Sequence, residues 1–313
     1  MTPLSEVPLR AWLPYFLGVS LAWGSSFLFI EVALRGFAPA QVALGRLVFG
    51  AVVLIGLVLA MRRLPRLTWR AVVSIGVVGV VLSGIPLILI PLAQQHLTSI
   101  LASLLNATTP LWTALFVALL IPTERVSRAQ LIGLVLGAVG IAVLLGAWRV
   151  DDLPLLGAAL MLGATACYGI GSTLSRVLLS RVQQSPVVLS ATQISLSILV
   201  VAPFALAAPA PDAGAIALDS VSLWALLALG VTGTSFAYVW FWKIVKAAGA
   251  TTAASVTYAV PVVATVLGVV VLGETLHWYE PVGAAIVLTG VWLAQRRPKP
   301  RPEAAPELKG SPA

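Results

Sequence analysis

Apolar residues run along this chain in long blocks separated by short polar breaks. Ten blocks can be marked, over residues 12–34, 39–61, 70–93, 98–121, 128–147, 154–179, 186–208, 221–245, 250–272 and 279–295. A helix needs about 20 such residues to cross roughly 30 Å of hydrocarbon at about 1.5 Å per residue. None of the blocks alternates as a barrel strand would. Each is therefore expected to be a helix that satisfies its own backbone groups. The predicted fold class is all-α: a polytopic membrane protein of ten transmembrane helices. The first block is too long for the apolar core of a signal peptide and no small-residue cleavage site follows it, so it is expected to be retained.

Polar residues interrupt these blocks in a pattern. The fourth block, "ASLLNATTPLWTALFVALLIPTE", holds Asn106, Thr109, Pro110 and Thr113 at i, i+3, i+4 and i+7, one stripe of a helix. The ninth, "AASVTYAVPVVATVLGVVVLGE", carries Thr257, Pro261 and Thr265 in the same way, with Tyr258 alongside. Each proline removes a backbone donor and crowds the carbonyl four residues back, that of Asn106 or of Thr257. Such a carbonyl is open to substrate or water. Two readings stand: kinks packed by neighbouring helices, or the lining of a substrate cavity.

Other blocks carry similar stripes: Trp23 with Ser26, Tyr168 with Ser172, Gln193 with Ser197, and Thr234 with Tyr238. Trp23, Tyr168, Tyr238 and Tyr258 fall about midway along their blocks. Interfacial belts would put aromatic rings at the ends. Together these residues predict a cavity walled by aromatic rings and hydroxyls. Arg46 is the one basic residue well inside a block. It is either a functional intramembrane charge or a snorkelling side chain, and Glu31 is its candidate partner. Gly133 and Gly137 form a GxxxG, a signature of close helix contact.

The chain also repeats itself. With Pro110 set on Pro261, Asn106 falls on Thr257, and a one-residue gap brings Glu124 onto Glu274, Gly133 onto Gly283 and Gly140 onto Gly290. "LAWGSS" at 21–26 pairs more weakly with "ACYGIG" at 166–171. Two units are expected, 12–147 and 154–295, of five helices each. Five is odd, so the second unit would enter the membrane inverted. Secondary transporters use that arrangement, with the substrate near the midplane between the copies.

Composition agrees with the pattern. Of 313 residues, 59% are hydrophobic and only 10% charged, and the mean hydropathy is +1.02. Soluble domains run near 25% charged. The net charge of +8 would suit nucleic acid were it not so unevenly placed. With the amino terminus in the cytoplasm, every Lys and Arg but Arg35, Arg46 and Arg149 falls on the cytoplasmic side, while Glu274 and Glu280 lie outside. This is the positive-inside distribution. Both termini are predicted cytoplasmic, the bilayer is the partner, and no nucleic acid is expected. Residues 296–313, Pro-rich and charged, are predicted to be a disordered tail.

Signals for chemistry are missing. There is no G-x-S-x-G, no HExxH and no paired intramembrane Asp, and the two histidines, His96 and His277, lie at block ends. The single Cys167 reads as a small buried residue. No catalytic residue, metal or cofactor is predicted.

The stretches "AWGSSFLFIEVAL…FAPAQVALGRLVFG" and "GETLHWYEPVGAAIVLTGVWLA", with the Pro110 and Pro261 helices, resemble the two EamA-type repeats of the drug/metabolite transporter superfamily. The resemblance spans about 12–295. It implies a bacterial inner-membrane carrier of small metabolites, often an exporter, working by alternating access. Amino-acid exporters, including those for aromatic amino acids, look the most similar; other members carry nucleotide sugars and further solutes. The expected substrate is a small zwitterion such as an amino acid, with another small metabolite (a sugar, nucleotide sugar or drug-like cation) as the alternative, and an intramembrane enzyme or a channel as remoter ones. A polyanion would want several cavity cations, and only Arg46 is available. The predicted lining is Trp23, Ser26, Asn106, Thr109, Pro110, Tyr168, Ser172, Thr234, Tyr238, Thr257, Tyr258 and Pro261. Coupling ion and oligomeric state have no signature in the sequence.

Overall fold

The computed structural model describes residues 8–62, 67–121, 127–149, 153–180, 182, 184–208 and 220–295. The predicted tail at 296–313 and Glu124 lie outside the described residues. Every regular element among those described is helical. Seven helical segments are long and apolar enough to cross a membrane: Leu13–Ala33, Pro39–Ala60, Trp69–Gln94, Ser99–Leu120, Leu155–Leu178, Pro186–Ala207 and Ser220–Phe241. Arg128–Leu144, Val256–Leu272 and Tyr279–Ala294 are shorter apolar helices.

By local geometry the elements are α1 (Leu13–Ala33), α2 (Pro39–Ala60), α3 (Trp69–Gly79), α4 (Ile85–Gln94), α5 (Ser99–Asn106), α6 (Thr109–Leu120), α7 (Arg128–Leu144), α8 (Leu155–Leu178), α9 (Pro186–Ala207), α10 (Ser220–Gly230), α11 (Ala237–Ala254), α12 (Val256–Leu267) and α13 (Tyr279–Ala294). Their starts are written in the sequence. Pro39 and Pro186 open α2 and α9 in the first turn, where a missing N–H costs nothing. Thr68, Thr98, Ser127 and Ser185 each accept a bond from an orphan backbone N–H of the helix that follows. Gln130 completes a capping box with Ser127.

Three π-helical turns break the regular ladder, at Val80–Gly84, Val231–Phe236 and Gly268–Leu272. The first two begin 151 residues apart, the offset that also separates Pro110 from Pro261. The first joins α3 to α4 and the second joins α10 to α11, so two long helices share one distortion at matching positions. A π turn adds one residue to a helical turn and pushes carbonyls out of register, commonly at functional sites.

The core lies among α1, α5, α12 and α8 on one side, and among α2, α4 and α9 on the other. The most extensive helix pairing joins α7 to α13, the last helix of each matching stretch. Glycine makes it possible. A methyl group at Gly133 would stand 2.5 Å from the Gly290 carbonyl oxygen, and one at Gly283 would stand 2.5 Å from the Leu144 nitrogen. Here backbone rests on backbone, as expected for Gly133 and Gly137 and extended by Gly140, Gly283 and Gly290.

The structure alters two sequence expectations. The fourth block is two helices, α5 and α6, separated by a turn at Ala107–Thr108. The polar break expected between the eighth and ninth blocks is helical through to Ala254, with only Ser255 as a turn before α12.

Candidate functional site

The polar interior is organised by the second π turn. Arg46, on α2, is 8% exposed and does not snorkel. Its Nε donates to Thr234 Oγ1 at 3.0 Å and its Nη2 to the Gly233 carbonyl at 3.1 Å. The same carbonyl accepts from Trp23 Nε1, on α1, at 3.2 Å. One carbonyl thus ties α1 and α2 to the turn between α10 and α11. Hydroxyls satisfy the other displaced groups. Thr234 Oγ1 donates to the Leu229 carbonyl and Ser235 Oγ to those of Gly230 and Gly50. Glycine at 233 lets the turn approach α1 closely: a methyl group there would stand 2.6 Å from Ser26 Oγ, which would have to move.

The guanidinium is a buried cation without a carboxylate. Among the described residues no carboxylate stands within ion-pair distance of Arg46, and its electrostatic neighbours are the Tyr168 and Tyr238 hydroxyls. Glu31, the candidate partner, sits instead beside Gln94, Arg35 and Glu274. That expectation is corrected: Arg46 and Glu31 belong to different clusters, because α2 turns Arg46 inward one helix away from the end of α1.

Aromatic rings and amides extend the cluster. Trp23 meets Tyr238 edge-on, with centroids 6.3 Å apart, and Phe241 at 5.5 Å. Tyr238 OH lies 3.3 Å from Ser83 Oγ, which accepts from Gln193 Nε2 at 2.8 Å. Ser83 belongs to the first π turn. The first π turn therefore meets α11, just past the second π turn, through a Ser83–Tyr238 contact, and Gln193 on α9 closes the line.

Of the sequence-predicted residues, Trp23, Thr234, Tyr238 and Arg46 come together here, with Ser26 beside Gly233 and Tyr168 within electrostatic reach. Ser172 lies one turn past Tyr168 on α8 and its carbonyl accepts from Ser175 Oγ. Asn106 closes α5. Its Oδ1 is buried with no partner among the described residues. Its carbonyl is already taken, because Thr109 Oγ1 donates to it at 2.8 Å. Pro110 sits in the first turn of the new helix α6, so it starts a helix and does not bend one. Pro261 does lie inside α12 and is buried, with Thr257 one turn before it and half-buried.

Tyr258 departs from expectation. It is the third residue of α12, and its hydroxyl bonds Gln295 Oε1 at 2.9 Å, just past the end of α13. Mid-block position in the sequence placed it centrally; α12 begins only at Val256, six residues later than the block, and this leaves Tyr258 near the helix start.

Sequence reasoning placed Ser235 beside Thr234 on the eighth block but missed Ser83, Gly233 and Phe241. A signal existed for the first two. "VVLSG" and "VTGTS" sit at the 151-residue offset, both rich in small and hydroxylated residues that tolerate a π turn.

Comparison with known proteins adds the class. Residues 10–146 and, separately, 155–295 match the model of the EamA-like transporter family. Two similar proteins are both called uncharacterized transporters of Archaeoglobus fulgidus. One is 22% identical over 290 residues, which is 92% of this chain and 100% of the relative. The other is 26% identical over 280 residues, 87% of this chain and 93% of the relative. A solved chain titled "Crystal structure of protein" superposes with a TM-score of 0.63 at 23% identity, over 91% of this chain and 98% of that one, a likeness of fold.

Proposed function

Because this chain belongs to the EamA-like transporter family, and so is a multi-pass membrane transporter and not an enzyme, we propose that it exports a small zwitterion such as an amino acid. In this reading ten helices span the membrane as two inverted five-helix units, 12–147 and 154–295, with both termini cytoplasmic. The units alternate access to a site between their π turns, and in a bacterium the inner membrane is the place of action.

The observation that carries the substrate class is Arg46. A buried charge is costly and is retained where it has a task. Its partners here are a hydroxyl and a carbonyl, both neutral. A monoanionic carboxylate would give the guanidinium its missing counter-charge, and charge-assisted bonds of this kind are the strong ones. One cation suits one carboxylate and not a nucleotide's phosphates. Trp23, Tyr238 and Phe241 offer flat apolar surface for a side chain. The unpaired Oδ1 of Asn106 is an acceptor suited to an ammonium group.

The test is uptake and counterflow of labelled amino acids, sugars and nucleotide sugars in liposomes carrying the purified protein. Counterflow of amino acids that is abolished in Arg46→Gln supports the assignment. Flat traces for every amino acid, with movement of an uncharged sugar that survives Arg46→Gln, would overturn it.

A further inference from the structure

A second polar cluster sits at one end of the bundle, apart from Arg46, and no part of the proposed substrate site uses it. Glu31 stands near the end of α1, Gln94 ends α4, and Glu274 follows the third π turn. Glu274 is fully engaged: it accepts from the Ser99 nitrogen at 2.8 Å, from Ser99 Oγ at 3.0 Å and from the Ile100 nitrogen at 3.0 Å. It thus holds the start of α5 with a charge at the favourable end of the helix. Glycine at 268 keeps the space clear, since a methyl group there would stand 2.8 Å from Glu274 Oε2.

Glu31 and Gln94 are the opposite case. Glu31 Oε2 is buried and has no hydrogen-bond partner among the described residues, and the same holds for Gln94 Oε1. Gln94 is only 4% exposed, and its Nε2 is committed to the Phe27 carbonyl at 2.9 Å. Its amide stands within hydrogen-bonding reach of the Glu31 carboxyl. The charged groups acting on Glu31 are Glu274, of like sign, and Arg35, of opposite sign and exposed to screening.

Glu31 Oε2 lacks a donor, and a buried acceptor without one is costly. A hard metal cation would want about six oxygens. A proton needs only this one. Placed on Glu31 Oε2 it turns the orphan acceptor into a donor. It also removes the like-charge repulsion from Glu274, whose carboxylate is held in place by three donors.

We propose that Glu31 is the proton-binding group of this transporter, loaded from the Glu274 end of the bundle and linked through Glu274 to the position of α5. The step is a simple protonation: an O–H bond forms at Glu31 from a solvent proton and breaks again on release. With the proton on, Glu274 holds α5 unopposed. With it off, two carboxylates contend beside the start of α5, whose far end carries Asn106. The coupling part rests on the transport reading above; the protonation itself does not.

The experiment uses the full chain in liposomes with two readouts. Infrared difference spectra on changing pH report the carboxylic-acid carbonyl stretch. The wild type and Glu274→Gln should both show a titrating band that Glu31→Gln lacks, and Glu31→Asp should restore a shifted band, which guards against misfolding. In the second readout, a pH gradient of about one unit should drive up to about tenfold accumulation of a radiolabelled amino-acid mixture for one proton per solute. Glu31→Gln should keep counterflow and lose accumulation.

A titrating band that persists in Glu31→Gln overturns the proposal. So does saturable binding of radioactive sodium that Glu31→Gln abolishes, or gradient-driven accumulation that survives the same change. If no amino acid moves in the wild type, the substrate reading fails, and the infrared band alone decides whether Glu31 binds the proton.

Discussion

The two π turns at 80–84 and 231–236 occupy matching positions yet carry different loads. The second is dense with bonds: its carbonyls and hydroxyls engage Arg46, Trp23 and the backbone of α2. The first offers Ser83, which meets Tyr238 and Gln193. One backbone device has been kept twice while its side chains have diverged. The π turn is a property of both halves; the bonds it makes are not. A single charge, Arg46 on α2, docks on the second turn and makes the pair unequal.

Four substitutions would break or sharpen that contrast. The largest effect is expected from Arg46→Leu. Transport should fall by about a hundredfold, close to 3 kcal/mol of substrate binding, while thermal stability in detergent changes little or rises, because an apolar side chain replaces a buried charge. A purely structural arginine would give the reverse. Thr234→Val leaves Arg46 Nε without its acceptor and should cost about 1–3 kcal/mol of stability, read as a lower melting temperature. Gly233→Ala sets a methyl group against Ser26 Oγ and should cost about 1–3 kcal/mol by overpacking; the double change with Ser26→Ala should recover part of it, and additive losses would show that the clash is not the cause. The smallest effect is expected in the first turn. Ser83→Ala removes one interhelical bond network and should cost about 0.6 kcal/mol, with counterflow retained; a loss as large as that of Thr234→Val would show the two turns to be equivalent.

Much of the fold was legible because lipid imposes a coarse rule. Apolar length decides which residues are helical, so α1, α2, α9 and α13 begin within a residue or two of the predicted blocks. Caps such as Ser127 and prolines such as Pro39 mark their own helix starts. Arg46 was legible as an isolated charge in a block. What the pattern missed is local or rotational. A π turn inserts one residue and then resumes the helix, so it leaves no periodic trace in side-chain chemistry. The fate of the Asn106 carbonyl turned on a neighbour's hydroxyl, because Thr109 reaches it before any ligand does. Pro110 read as a kink and proved to be a start, since the same ring suits the first turn of a helix and disrupts its middle. Tyr258 was misplaced because its height in the bundle depends on where α12 begins, which Ser255 decides.

The seam between α7 and α13 has a mechanical consequence. Two helices whose main chains touch through Gly133, Gly137, Gly140, Gly283 and Gly290 cannot slide by a turn without driving Leu144 or Val287 into peptide groups. They form a fixed spar. If the proposed alternation of access holds, the helices that move are the remaining ones, pivoting about this pair as a door does about its post.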